Sequence, residues 1–115
     1  MQRRTRFRIM WSEYRDRYEI QSIGPPIMSW PTIIPGSARW FAWLAEVPSF
    51  AFQARDDGHF TARKETRARG AEYWVAYRHS GGQLVKKYIG PQAQVTIARL
   101  EEIAGELEMR AGPEP

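Results

Sequence analysis

The chain has 115 residues, enough for one domain with a modest core, and 43% of them are hydrophobic. That content favours a folded domain, and the absence of cysteine excludes disulfides and thiolate metal sites. No apolar run approaches the ~20 residues of a membrane span, and the basic start has no apolar core like that of a secretory signal. We therefore expect a cytoplasmic protein with one domain, residues 1–110, and a flexible tail, residues 111–115.

The net charge of +4 is distributed unevenly along the chain. Residues 1–20 contain six Arg and three acidic residues, and residues 55–90 contain eight Lys or Arg and four acidic residues. Residues 91–115 contain two Arg and five Glu. Segregation of this kind favours nucleic-acid binding. The support is only moderate, because many proteins with a similar net charge bind no nucleic acid.

The first half of the chain predicts two short strands and one short helix. Aromatic residues within 6–11 and 18–22 favour strands, joined by a polar turn. Four prolines between residues 24 and 36 predict a loop around the domain, anchored by Trp30 and Ile33. Ser37 is a suitable N-cap for an apolar, buried helix over residues 38–46, which ends before Pro48.

Residues 49–55 and 59–65 predict a hairpin with a three-residue loop, Asp56-Asp57-Gly58. This register separates an apolar face from a polar, cationic one. The apolar face contains Phe50, Phe52, Ala54, Phe60 and Ala62, and the polar face contains Gln53, Arg55, His59, Thr61 and Arg63. We expect the three Phe residues to share one core with Trp40 and Trp43 of the short helix.

Residues 73–90 predict a second hairpin, with Gly81-Gly82 as its turn. The sequence does not decide which face of this hairpin is buried. Either Tyr73, Val75 and Tyr77 or Trp74, Ala76 and Arg78 could face the core. Thr96 is expected to cap a C-terminal helix that reaches about residue 109. Its apolar stripe has helical spacing: Ile97, Leu100, Ile103, Ala104 and Leu107.

These elements together predict an α+β fold. We expect a three- or four-stranded antiparallel sheet of hairpins, backed by the amphipathic C-terminal helix, with one short buried helix.

The basic residues on and between the strands form the candidate site. Strands hold cations at fixed spacing, which suits contact with the phosphates of a nucleic-acid backbone. The predicted DNA-binding residues are Arg55, Arg63, Arg67, Arg69, Arg78, Lys86, Lys87 and Tyr88. The alternative is an ordinary solvated face, whose charges keep the sheet soluble.

The sequence offers little support for catalysis. His59 and His79 lie near turns and have no partners at metal-ligand or general-base spacing. Asp56 and Asp57 read as turn residues, and Gly81-Gly82 is a hairpin tip that does not cradle a phosphate. We therefore predict no catalytic residue, no metal and no cofactor.

Several segments resemble a region near the N-terminus of some bacterial LuxR/MalT-type ATP-binding transcriptional regulators and of small stand-alone proteins. The segments are PGSARWFAWLAEVPSFAFQ (35–53), FTARKE (60–65), RGAEYWVAYRHSGGQLVKKYIG (69–90) and VTIARLEEIA (95–104). The chain has neither an ATPase motif nor a helix-turn-helix signature, so those activities of the large regulators do not transfer.

A looser resemblance is to three-stranded DNA-binding domains, the arm-binding domains of tyrosine recombinases and the plant AP2-type domain. Both have a Trp/Tyr-rich middle strand, a basic strand ending in Gly, and then a helix. This resemblance implies DNA-facing positions for Arg78, Lys86 and Tyr88. Ala76 stands where the AP2 pattern has an acidic reader, which favours backbone binding over base reading.

We therefore expect a bacterial protein that binds double-stranded DNA through a basic, aromatic-rich sheet face, in transcription regulation or a mobile-element setting. The alternative function is a non-enzymatic protein-interaction module, acting as a homodimer or with another protein. Binding through phosphates weakens steeply with salt, whereas an apolar interface barely responds, so salt dependence separates the two functions.

Overall fold

The computed structural model describes residues 7–22, 33–56 and 58–110. The predicted Trp30 anchor, most of the proline-rich loop and the tail 111–115 lie outside the described residues. Ile33, the other predicted anchor, is partly buried and packs against the core.

The predicted α+β class is confirmed. The strands are β1 (Phe7–Ser12), β2 (Arg17–Ser22), β3 (Ser49–Gln53), β4 (His59–Thr66), β5 (Glu72–Ser80) and β6 (Gln83–Gly90). The helices are α1 (Ala38–Glu46) and α2 (Ile97–Arg110), and a 3₁₀ turn (Gln92–Gln94) precedes α2. Among the described residues, neither helix combines the length and the apolar content needed to cross a membrane.

The sheet is wider than predicted. All six strands form one sheet in the order β2-β1-β3-β4-β5-β6, so the expectation of three or four strands was wrong. The β1–β2 hairpin joins the sheet through a parallel pairing of β1 with β3, which places Ile9 beside Phe52. This pairing continues the apolar face of β3 across β1, because Ile9 is fully buried there.

The hairpin of β3 and β4 has the predicted faces but another register. Phe52 pairs with Phe60 and Gln53 with His59, and the Ala54 N–H donates to the Gly58 carbonyl at 2.9 Å. β3 therefore ends at Gln53, two residues earlier than predicted, whereas β4 begins at His59 as predicted. Gly58 has φ +95° and lies so close to α2 that a Cβ would sit 2.7 Å from the Ala104 carbonyl oxygen. Only glycine suits this contact, which fixes where the turn closes.

The core settles the facing of the β5–β6 hairpin. Trp74 and Ala76 are buried on the side of the helices, so Tyr73 and Tyr77 lie on the other side. Gly81 and Gly82 both have positive φ, which confirms the two-residue turn. The Trp74 ring lies 5.2 Å from the Phe50 ring between centroids. The large indole therefore occupies the core, and strand alternation turns its neighbours outward.

Both helices cover the same face of the sheet. As predicted, the Ser37 hydroxyl caps α1, accepting a hydrogen bond from the Trp40 N–H. The Trp40 indole N–H donates to the Val95 carbonyl at 2.8 Å, which ties α1 to the start of α2. The predicted aromatic cluster is confirmed, and the stripe of α2 is buried at Leu100, Ile103, Ala104 and Leu107.

One polar contact joins three elements at the edge of the core. The Tyr18 hydroxyl donates to Glu101 Oε2 at 2.7 Å and accepts from the Arg55 N–H at 2.8 Å. Burial, with a smaller contribution from the hydrogen bond to Glu101, raises the pKa of Tyr18 to about 12. The neutral phenol therefore holds β2, the β3–β4 turn and α2 together.

Leu100→Ala should reduce the free energy of unfolding by roughly 2–5 kcal/mol, because Leu100 is fully buried in the stripe of α2. Urea denaturation would measure the loss. Ala98→Ser, at an exposed position of the same helix, should change stability far less. An unchanged urea midpoint for Leu100→Ala would contradict the placement of α2.

Stability should fall with pH across the window set by Tyr18. The unfolded chain loses the phenol proton near pH 10, whereas the folded chain keeps it to about pH 12. The unfolded state binds fewer protons in this window, so the Tyr18 contribution is complete below pH 10 and lost by about pH 12. Urea midpoints should fall more steeply for the wild type than for Tyr18→Phe. Parallel pH curves would show that Tyr18 does not titrate in this way.

Candidate functional site

The sheet face opposite the helices, here called the open face, contains a broad groove. The groove has a volume of about 940 Å³. Its lining comes from four adjacent strands and from β6 at the edge. Open-face residues along it include Arg8, Ala51, Gln53, His59, Thr61, Arg63, Glu65, Tyr77, His79 and Leu84.

Strand pairing arranges one row of side chains straight across this groove. Arg8 pairs with Ala51, Ala51 with Thr61, Thr61 with Tyr77, and Tyr77 with Lys86. The row therefore has a cation at each end and small or hydroxyl-bearing side chains between them. The small Ala51 side chain leaves room at the floor of the groove.

Arg63 adds a third cation beside this row. It lies on β4, two residues beyond Thr61, and pairs with Val75 of β5. Val75 is only 2% exposed although it faces the open side, so the larger side chains around it cover it. Arg63 thus lies beside a buried apolar residue of the open face and is itself exposed.

These three cations have no acidic partner among the described residues. Arg8, Arg63 and Lys86 are exposed, and none forms an ion pair within residues 7–22, 33–56 and 58–110. The Lys86 ammonium lies over the Tyr77 ring, 5.7 Å from its centroid. Within the part of the chain that the structure describes, the open face therefore presents cations that no carboxylate pairs with.

Two acidic residues of the open face have side-chain partners. Glu19 lies within ion-pair distance of Arg15 and Arg17, and Glu65 accepts a hydrogen bond from the Tyr73 hydroxyl at 3.1 Å. Two arginines offset the charge of Glu19. The Tyr73 hydroxyl is neutral, so Glu65 keeps its negative charge in the lining of the groove, where Arg8 and Arg63 outnumber it. An anion in the groove would thus meet a surplus of cations.

A second cluster of aromatic and cationic groups lies at the end of the groove nearest the β4–β5 connection. The Arg67 guanidinium sits 4.9 Å from the Tyr73 ring centroid and 6.0 Å from that of Tyr88. The two tyrosine rings are themselves 5.9 Å apart. Tyr88 is 46% exposed. This cluster combines π-faces with a positive charge.

Two of the residues predicted to bind DNA lie on the other face. Arg78 alternates with Trp74 and Ala76 and therefore points toward α2, where its guanidinium pairs with Glu108 at 2.8 Å. Lys87 pairs with Glu106 of the same helix. The expectation that both stand on the open face was wrong, because the pleat that buries Trp74 also turns them inward.

The remaining predicted residues divide between the open face and the turns. Arg63, Lys86 and Tyr88 lie on the open face, and Arg67 adjoins it. Arg55 belongs to the β3–β4 turn, where its guanidinium lies 4.2 Å from the centroid of the Trp11 ring. Trp11 is on the helix side of the sheet, so Arg55 does not join the groove. Arg69 is exposed in the β4–β5 connection.

Two residues on which the candidate site depends, Arg8 and Tyr77, were not among the predicted site residues. Arg8 enters through the parallel pairing of β1 with β3, for which the sequence gives no local signal. Tyr77 enters once the facing of β5 is known. The alternation of Phe7, Ile9 and Trp11 could have placed Arg8 on a polar face, although not beside this groove.

No cluster of three or more His, Cys, Asp or Glu residues within the described part of the chain is arranged to hold a metal ion. His59 and His79 both line the groove. They add hydrogen-bonding capacity at the end of the groove near the β3–β4 and β5–β6 turns, without forming a metal-ligand set.

Comparison of the chain with protein-family models, with curated proteins and with solved structures finds no match.

Arg78→Ala and Lys86→Ala should have opposite profiles. The Arg78 side chain is only 13% exposed, so its loss should cost roughly 1–3 kcal/mol of unfolding free energy by removing packing and the partner of Glu108. Lys86→Ala removes an exposed charge and should stay within about 0.5 kcal/mol of the wild type. Urea denaturation measures both. Equal stability of the two variants would contradict the opposite facing of these side chains.

Proposed function

We propose that the protein binds nucleic acid, DNA in the first instance, through the open face of its sheet. The observation that carries the proposal is the set of three exposed cations, Arg8, Arg63 and Lys86, which line or border one groove without acidic partners among the described residues. Arg67 extends this positive surface beyond the groove.

The chemistry of these groups suits phosphate contact more than base reading. Phosphate contacts from Lys and Arg supply affinity and orientation, whereas specificity needs donors and acceptors fixed against base edges. Arg78, for which the resemblance implied a DNA-facing position, is held by Glu108 on the helix side. We therefore propose binding that depends little on the base sequence of the nucleic acid. A setting in transcription regulation or a mobile element rests on the sequence resemblance alone.

The second candidate is a protein-interaction module. Leu84 is 54% exposed and Tyr88 46% exposed, and both lie on β6, which is an edge strand of the sheet. An edge strand with exposed apolar side chains is a surface on which a second strand can pair. Such an interface would depend on apolar area and backbone hydrogen bonds, so salt would affect it little.

A titration of fluorescent DNA at several salt concentrations tests the proposal. If Arg8, Arg63, Arg67 and Lys86 each contact one phosphate, log affinity should fall with log salt at a slope of roughly −3 to −4. Lys86→Ala and Arg63→Ala should each weaken binding to all sequences similarly and reduce the slope by about one unit.

Arg39→Ala is the matched control, because Arg39 is an exposed cation on α1 and lies on the helix side. It removes the same charge from the wrong face, so it should leave the slope nearly unchanged. Absence of binding at about 50 mM salt and micromolar protein would overturn the proposal. Equal losses from Arg39→Ala and Arg63→Ala would show general charge attraction without a defined face.

A further inference from the structure

We propose that the strand held by the open face is unpaired, so that the groove takes single-stranded nucleic acid in preference to a duplex. This inference rests on the proposed function and narrows its ligand. It follows from the width of the sheet, the placement of the tyrosines and the course of the cations.

The sheet is too broad to enter a duplex. Six strands span five inter-strand spacings, roughly 24 Å, whereas the major groove is about 12 Å wide. A two-stranded ribbon or a helix fits that groove, but a six-stranded face does not. The open face is also grooved, and a recess receives a narrow ligand better than a rod some 20 Å across.

The tyrosines supply what an unpaired strand needs. Tyr77 and Tyr88 lie on adjacent strands of the open face as diagonal neighbours, because Tyr77 pairs with Lys86 and Val75 with Tyr88. Tyr73 packs beside Tyr88. Aromatic rings on a sheet stack with bases that have left a helix, whereas a duplex hides its base faces inside its own stack. Three tyrosines on one stripe therefore favour an unpaired ligand.

The cations trace one path across the sheet. Arg8 on β1 and Lys86 on β6 end one row, separated by four inter-strand spacings or roughly 19 Å, and Arg63 lies beside it. A single backbone crossing the strands would meet all three in turn. Its bases would then reach the tyrosines of β5 and β6. Cations and π-faces combine in this way in grooves that bind single strands.

The experiment compares one mixed-sequence DNA of about 20 nucleotides as a single strand, the same sequence as RNA, and the DNA as a duplex. All three probes carry a fluorophore and are titrated with the full chain at one salt concentration. The single strands should bind about tenfold more tightly than the duplex or better. The RNA arm shows whether the sugar matters; tighter binding of either single strand supports the inference.

Substitutions at the tyrosines test the stacking directly. Tyr77→Leu and Tyr88→Leu keep apolar bulk on the sheet but remove the ring, and each should weaken single-strand binding about fivefold or more and duplex binding clearly less. Tyr77→Phe and Tyr88→Phe keep the ring and should bind like the wild type. Tyr14→Leu is the matched control, because Tyr14 is 93% exposed in the β1–β2 turn.

The outcomes separate this inference from the proposed function. Duplex binding as tight as single-strand binding would overturn the inference and leave nucleic-acid binding standing. Equal losses on both probes from Tyr77→Leu would also overturn it, because stacking acts only on exposed bases. Binding to none of the probes would overturn the proposed function itself. Circular dichroism of each variant confirms that it is folded.

Discussion

The burial of Trp74 is the constraint on which the surface of this protein depends. Its indole is 1% exposed and packs against Phe50 beneath the two helices. Successive side chains of a strand face opposite sides of the sheet. The burial of Trp74 therefore decides which side each of the remaining residues of β5 faces. Through the pairing of β5 with β6, it also decides which lysine of the Lys86-Lys87 pair faces the helices.

The same alternation divides the basic residues into two groups with different roles. Arg78 and Lys87 face α2 and pair with Glu108 and Glu106. The glutamates of α2 therefore neutralise cations of the sheet that the helix covers, in addition to keeping the surface of the helix soluble. Three other cations, Arg8, Arg63 and Lys86, lie on β1, β4 and β6, and the alternation directs their side chains to the open face.

The parallel pairing of β1 with β3 gives the open face its extent. It adds the β1–β2 hairpin to the sheet and brings Arg8 into line with Ala51, Thr61, Tyr77 and Lys86. Without that pairing, the groove would lose one wall and one of its cations. On the helix side, the contact between Tyr18, Glu101 and the Arg55 N–H fastens the added hairpin to α2.

The sequence by itself determined the local structure. Apolar periodicity, the caps at Ser37 and Thr96, and the Gly81-Gly82 turn predicted the elements, and the alternation of Phe50 and Phe52 predicted a two-sided hairpin. These signals act within a few residues, so they can be read along the chain. Tertiary structure decided the parallel strand pairing, the facing of the second hairpin and the ion pairs with α2. Each of these depends on which large side chain fills the shared core and on which distant strand completes the sheet. Neighbouring residues carry neither kind of information, and for this reason Lys86 and Lys87, adjacent and identical in sequence, end on opposite sides of the protein.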